Sequence, residues 1–108
     1  MSAPLLDAEH WAQLASDLPA EDLRHVCQLL VRDAQAMLAA MRDAESAGDT
    51  AAWQRAAHRL AGGAGGVAAR PLEQAARAAM EQPPGAAALA EITGLVDATI
   101  MALEERLG

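Results

Sequence analysis

The chain has 108 residues, of which 53% are apolar and 21% charged, with a net charge of −7. This size and composition indicate one folded domain and exclude a disordered tail. The negative charge disfavours nucleic acids and anionic lipids as partners, because both attract basic surfaces. Only 2% of the residues are aromatic and β-branched residues are scarce, so β-sandwiches and barrels are nearly excluded.

Cellular location is predicted from what the sequence lacks. The single cysteine, Cys27, has no partner for an intrachain disulfide. The first ten residues show no basic segment followed by an apolar run, as a secretory leader would. No stretch approaches the ~20 apolar residues of a membrane span. We therefore expect a cytoplasmic protein without a membrane association.

Apolar residues recur at spacings of three and four along the first half of the chain, which predicts helices. Asp7 is placed to cap a short first helix that ends near Leu18. The second helix is predicted from about Pro19 to Ala47, with Gly48 as its left-handed cap. Its apolar stripe consists of Leu23, Val26 or Cys27, Leu30, Ala34, Met37, Met41 and Ala44.

A third helix begins after Asp49 or Thr50, either of which is a suitable cap. Its apolar stripe runs from Trp53 to Val67 and includes the tract Gly62-Gly63-Ala64-Gly65-Gly66. Each glycine inside a helix costs ~1 kcal/mol relative to alanine. Either the helix frays at this tract, or the bare backbone has a use.

Two more helices complete the chain. The fourth restarts at Arg70-Pro71, and the fifth runs from about Ala86 to Leu107 after a break at residues 82–85. Short connections favour antiparallel neighbours. The predicted fold is therefore all-α: an antiparallel up-down four-helix bundle with a short N-terminal capping helix, forming one domain over residues 1–108.

The residues do not form a cofactor or metal site of a known pattern. His10, His25 and His58 are far apart in the chain and lie in no metal-ligand motif. The glycine tract lacks the lysine and preceding strand of a phosphate-binding loop. Cys27 lies on an apolar stripe and is interpreted as a core residue. We therefore expect no metal, nucleotide or cofactor to be bound by this chain.

His58 is the residue of greatest interest, because it projects away from the apolar stripe of the third helix. Side chains lean toward the N-terminus of a helix, so Gln54 and Arg55 lie beside the ring. Gln54 is placed to hydrogen-bond and orient the imidazole, and Arg55 to contact an anion on it. Ahead of the ring is a flat surface without bulky side chains, formed by Ala61, Gly62 and Gly65.

An exposed imidazole offers a ring nitrogen whose lone pair can act in nucleophilic attack. A partner's active site can reach such a ring across the flat surface. The alternative is a plain surface histidine beside a fraying, glycine-rich helix end. The residue pattern alone leaves both interpretations open.

The segment from Glu45 to Glu81 carries a longer motif. Gly48-Asp49 precedes the third helix, followed by Ala57, His58, Leu60, Gly62, Ala64 and Leu72 at the spacings of AHxLKGxAxxxGxxxL. The glutamate near the end of the family's motif has its counterpart in Glu81, nine residues after Leu72. Met80 replaces the usual leucine before the glutamate. In this register the chain resembles the histidine-containing phosphotransfer (HPt) domain of bacterial multistep phosphorelays, over nearly its whole length.

The resemblance implies an antiparallel four-helix bundle with His58 exposed, no kinase activity and no bound nucleotide. The histidine would accept a phosphoryl group from the aspartate of one receiver domain and pass it to another, through the ring nitrogen distal to the backbone. Implied partners are response-regulator receiver domains and a hybrid sensor kinase, with Mg²⁺ held by the receiver. We expect a monomeric, freestanding protein.

This chain departs from the family's pattern at two positions. Ala61 stands where the family has lysine, so the usual positive charge beside the phosphoryl group is missing. Arg55 lies on the same face as His58 and is the better substitute; Arg59 points about 100° round the helix. Ala68 stands where the family has a turn glycine, and Gly65 and Gly66 come earlier, so we expect the turn to be either displaced or built differently.

Two alternative functions remain. One is an HPt-like binding module that docks a receiver or kinase without accepting phosphate, as the missing lysine suggests. The other is an unrelated helical adaptor or chaperone. That hypothesis predicts a large exposed apolar patch and a buried or mispositioned His58.

Overall fold

The computed structural model describes residues 4–108, and within this range every regular element is a helix. The five helices are α1 (Ala8–Asp17), α2 (Ala20–Ala47), α3 (Thr50–Gly66), α4 (Arg70–Met80) and α5 (Ala86–Leu107). Helices α2 to α5 each pack against two of the others and form a closed ring, while α1 packs on α2. The predicted all-α bundle with a short N-terminal helix is confirmed.

Local capping explains where the first three helices begin or end. The Asp7 carboxylate accepts a hydrogen bond from the backbone N–H of His10 at 3.0 Å and starts α1. Gly48 ends α2 with a φ of 65°, in the left-handed region that suits glycine. Of the two caps considered for α3, Asp49 is the one that accepts the bond, from Ala52 N–H at 3.0 Å.

The glycine tract is helical throughout, because α3 continues to Gly66. The turn that follows has its positive φ, 65°, at Ala68, so the turn is not displaced but is built with alanine where the family has glycine. Alanine disfavours this conformation by about 1–2 kcal/mol. Tertiary contacts hold it there: the Ala68 side chain is fully buried, and its carbonyl accepts a hydrogen bond from Asp7 N–H at 2.8 Å.

The core is built from small side chains around one large one. Trp53 is fully buried, and its indole N–H donates to the carbonyl oxygen of Ala79 at 2.9 Å, which joins α3 to α4. The buried face of α3 otherwise consists mainly of alanines, which allow close approach of neighbouring helices. On α2 the core position is Cys27, whereas Val26 points to solvent.

Helix α5 is the most apolar helix of the bundle. By length and composition alone it would pass for a membrane span, so the expectation that no stretch reaches this length is wrong by that criterion. One face of α5 packs in the core, and Glu91 and Asp97 lie exposed along it. Its buried residues are Ile92, Val96, Thr99 and Leu103. One buried face and one face with charges are the pattern of a bundle helix.

Candidate functional site

His58 lies exposed on the outer face of α3, while its neighbours Ala57 and Leu60 are buried. The helical period separates them, since the apolar side of α3 faces the bundle and His58 falls on the other side. Within residues 4–108 the imidazole takes part in no hydrogen bond or ion pair, so its nitrogens are free to react. An exposed His58 contradicts the adaptor hypothesis, which required a buried or mispositioned ring.

The imidazole borders a shallow depression between α3 and the end of α4. The residues lining it are Ala51, Gln54, Arg55, His58 and Met80. The structure thus brings Gln54 and Arg55 together with His58, as the helical spacing predicts. Met80 is a neighbour that the sequence pattern did not place beside the ring, because it comes from α4.

Gln54 connects the α4 side of the site to α3. Its amide nitrogen donates to the carbonyl oxygen of Met80 at 3.1 Å. The amide group therefore satisfies the open C-terminal end of α4, where carbonyls lack helical partners. The side-chain oxygen of Gln54 can still accept a hydrogen bond from the imidazole, and its second N–H can still donate one.

The two arginines near His58 differ in their partners. Arg59 forms an ion pair with Asp33 of α2, with 2.7 Å between Nη2 and Oδ1. Its guanidinium is therefore drawn toward α2. Arg55 lines the depression beside His58 and has no ion-pair partner in the part of the chain that the structure describes. Of the two cations, Arg55 is the one available to an anion on the imidazole.

Ala61 does not belong to an accessible surface. Its side chain is 1% exposed, because it turns from the outer face of α3 into the bundle core. The prediction that Ala61 contacts a docking partner is therefore wrong. Where the family pattern has a lysine, this chain has the methyl group of Ala61 packed in the interior.

The four glycines of α3 differ in what surrounds them: at two of them an added Cβ would contact a neighbouring side chain, and at the other two it would lie in open space. At Gly63 a Cβ would lie 3.0 Å from Cδ1 of Leu30, and at Gly65 it would lie 2.8 Å from Oε2 of Glu73. These two glycines allow close packing against α2 and α4. At Gly62 and Gly66 a Cβ would meet nothing within 4 Å.

Gly65 is partly exposed with the Glu73 carboxylate beside it, so its docking role stays a prediction that requires Glu73 to move, while Gly62 is open. Gly66 is a candidate that the sequence pattern did not single out. The helical period could have indicated Gly66, because residues four and eight positions after His58 lie on the same side of the helix as His58. The bare backbone beside the imidazole thus runs from Gly62 to Gly66.

Ion pairs fix the position of Glu73 on the α4 side of the site. Glu73 forms ion pairs with Arg77 at 2.9 Å and with Arg70 at 3.3 Å. Hydrogen bonding from Arg77 lowers the pKa of the Glu73 carboxyl from its usual value, and partial burial acts in the opposite direction. This carboxylate is therefore ionised at neutral pH and anchored over Gly65.

These residues offer a nucleophile: an accessible imidazole beside the Arg55 guanidinium, which has no ion-pair partner among residues 4–108. In the same range, no cluster of three or more histidine, cysteine, aspartate or glutamate side chains is arranged to hold a metal ion.

Comparison with known proteins agrees with this geometry. The model of the Hpt domain family matches residues 25–106, a segment that contains His58. The crystal structure of histidine-containing phosphotransfer protein B (HptB) from Pseudomonas aeruginosa PAO1 shares the fold, with a TM-score of 0.80 and 24% identity over 98% of this chain and 96% of that one. No curated protein matches the sequence. The helical bundle and the family match over most of its length show that the chain belongs to the Hpt domain family, the phosphotransfer modules of two-component phosphorelays.

Proposed function

We propose that His58 accepts a phosphoryl group from the aspartate of one receiver domain and passes it to the aspartate of another. Membership of the Hpt family gives the general role of a phosphotransfer intermediate without kinase activity. The observation that carries the specific proposal is the exposed His58 ring, free of internal partners, beside the open backbone of Gly62.

In the proposed step, Nε2 of neutral His58 attacks the phosphorus of an aspartyl phosphate. The N–P bond forms as the P–O bond to the aspartate breaks, and the aspartate leaves as a carboxylate. The proton on Nδ1 passes to water, which leaves a neutral imidazole ring that carries an anionic phosphoryl group on Nε2. Transfer to the second receiver is the same step in reverse. The receivers supply Mg²⁺ and most of the charge stabilisation, since this chain offers only side-chain cations.

Arg55 is the residue of this chain that we assign to the phosphoryl oxygens. It shares the depression with His58, whereas Arg59 is paired with Asp33. We expect Arg55→Ala to slow transfer about tenfold, the usual scale for one charged hydrogen bond in a transition state. Arg59→Ala is the matched control and should have a smaller effect. The reverse order would refute this assignment.

The proposal is tested with purified receiver domains of the source organism, each phosphorylated with acetyl phosphate and Mg²⁺. Transfer should appear on this protein as acid-labile, base-stable phosphate, and His58→Gln should abolish it. Absence of transfer from every receiver, or equal labelling of His58→Gln, would contradict the proposal. A receiver that binds wild type and His58→Gln equally, without phosphohistidine, would instead favour a docking module.

A further inference from the structure

We propose that a second interaction site lies in the groove between helices α2 and α5, and that it binds an acidic amphipathic helix of a partner protein. On the α2 side the groove is lined by Arg24, His25, Gln28 and Arg32. We call these four residues the α2 wall. The inference goes beyond the proposed function, because it does not depend on phosphate at His58.

The shape of the groove suits a segment of another chain. Residues 24, 28 and 32 are spaced by four, so they follow one side of α2 over about 12 Å. The opposite wall is formed by residues 103–107 of α5, and the groove has a volume of about 690 Å³. It is open to solvent, whereas a small-molecule pocket encloses most of the surface of its ligand. An open groove between two helices is a place where a third helix can lie.

The floor of the groove is apolar. Val31 of α2 and Leu107 of α5 are half-buried, and Cys27 and Leu103, which also line the groove, are buried. Apolar side chains of a ligand that cover Val31 and Leu107 would release water, which favours binding. A wholly charged segment would leave this floor uncovered, so the ligand needs an apolar face.

Charge on the α2 wall favours an acidic ligand. Arg32 is exposed and takes part in no ion pair or hydrogen bond with residues 4–108. Arg24 donates one N–H, from Nη2, to the carbonyl oxygen of Leu107 at 2.9 Å, and a guanidinium has five N–H groups in all. Of the groove-lining residues in the described part of the chain, Glu104 is the one with a carboxylate, although the net charge of the whole chain is −7. The groove therefore attracts an acidic segment, while most of the remaining surface repels it.

A helix provides the spacing that matches the α2 wall. Carboxylates one turn apart on a helix are about 5–6 Å apart, and Arg24, Gln28 and Arg32 follow each other at the same helical interval. Each guanidinium can hold a carboxylate in a bidentate pair, and the amide of Gln28 can donate a further hydrogen bond. Apolar side chains on the neighbouring face of the same helix would then reach Val31 and Leu107.

The test uses three synthetic helical peptides of equal length and follows their binding by fluorescence anisotropy. The first carries glutamate along one face and leucine along the other, the second has lysine in place of glutamate, and the third has serine in place of leucine. We expect the first peptide to bind at least about tenfold more tightly than either of the others. Its affinity should fall severalfold when the salt is raised from about 0.1 M to about 1 M, because the screening length falls from about 10 Å to about 3 Å.

Charge reversal at Arg32 locates the site. Arg32→Glu should weaken binding of the first peptide about tenfold or more, because a like charge replaces an opposite one. Arg42→Glu is the matched control, since it makes the same change in net charge at an exposed position of α2 that does not line the groove. It lies about 15 Å along the helix from Arg32, beyond the screening length, and should weaken binding less than about twofold.

The inference is refuted if the first peptide does not bind, if its affinity does not depend on salt, or if either comparison peptide binds as tightly. Equal losses in Arg32→Glu and Arg42→Glu would refute it as well. His58→Gln should bind the first peptide as the wild type does, which separates this result from the phosphotransfer experiment; weaker binding would place the peptide at His58 and refute the groove. Equal urea midpoints show that the variants fold, and Arg32→Ala, expected to bind severalfold more weakly than wild type, replaces Arg32→Glu if that variant does not fold.

Discussion

Two adjacent glycines in the middle of α3 provide a sharp test of how the glycine tract is built. Gly62 and Gly63 have the same local helical surroundings, so replacing either by alanine gives the same intrinsic gain of ~1 kcal/mol. Their tertiary surroundings differ. A Cβ at Gly62 meets nothing within 4 Å, and a Cβ at Gly63 lies 3.0 Å from Leu30 Cδ1.

We expect Gly62→Ala to raise the free energy of unfolding by ~1 kcal/mol. Gly63→Ala requires the end of the Leu30 side chain to shift by a few tenths of an ångström, and this repacking offsets part or all of the helical gain. The two variants should therefore differ by up to about 1 kcal/mol, because the shared helical contribution cancels in the comparison. That difference measures the packing against Leu30.

Urea unfolding followed by tryptophan fluorescence is a suitable assay, since Trp53 is fully buried. With a denaturant slope of about 2 kcal/mol/M, the midpoint of Gly62→Ala should rise by about 0.5 M at an unchanged slope. Gly62→Ala should also accept phosphate from a receiver more slowly, because the added methyl group lies where the receiver approaches His58. A loss of stability in Gly62→Ala, or an equal gain in Gly63→Ala, would refute the division of the tract into packed and open glycines.

Three further predictions concern the core, the α4 ion pairs and the nucleophile. The Thr99 hydroxyl is buried without a hydrogen-bond partner, so Thr99→Val should raise the free energy of unfolding by about 1 kcal/mol in urea titrations. Thr93→Val, whose hydroxyl donates to a backbone carbonyl at 2.7 Å, should show no such gain. The lowered pKa of Glu73 means that its stabilising contribution is complete above the ordinary carboxyl range and is lost as pH falls through the lowered value. Glu73→Gln should therefore be less stable than wild type by about 0.5 kcal/mol at pH 7, and the difference should vanish as the pH falls through the lowered pKa of Glu73; a difference that persists in acid would show that the ion pair with Arg77 is not its source. His58→Gln should unfold within about 0.5 kcal/mol of wild type, since the ring is exposed; a large fall in its melting temperature would assign His58 a structural role.

The amino-acid sequence by itself determined the helices, their caps and the outward position of His58. Each of these depends on neighbours within four residues along the chain. Asp7 and Gly48 act on the adjacent turn, and the spacing of apolar residues decides which side of α3 faces the bundle. The exposed histidine beside Gly62 therefore follows from the helical period of the sequence alone.

The tertiary structure alone decided what lies against each flank of that histidine. The period of a helix gives the direction of a side chain about its own axis, but neither the identity nor the distance of the neighbouring helix. For this reason the prediction wrongly placed Ala61 on the surface. The helical period also did not indicate that Glu73 lies against Gly65, or that Ala68 adopts a left-handed conformation. The last two results come from contacts between residues distant in the chain: Glu73 of α4 lies against Gly65, and Asp7, before α1, bonds to the Ala68 carbonyl.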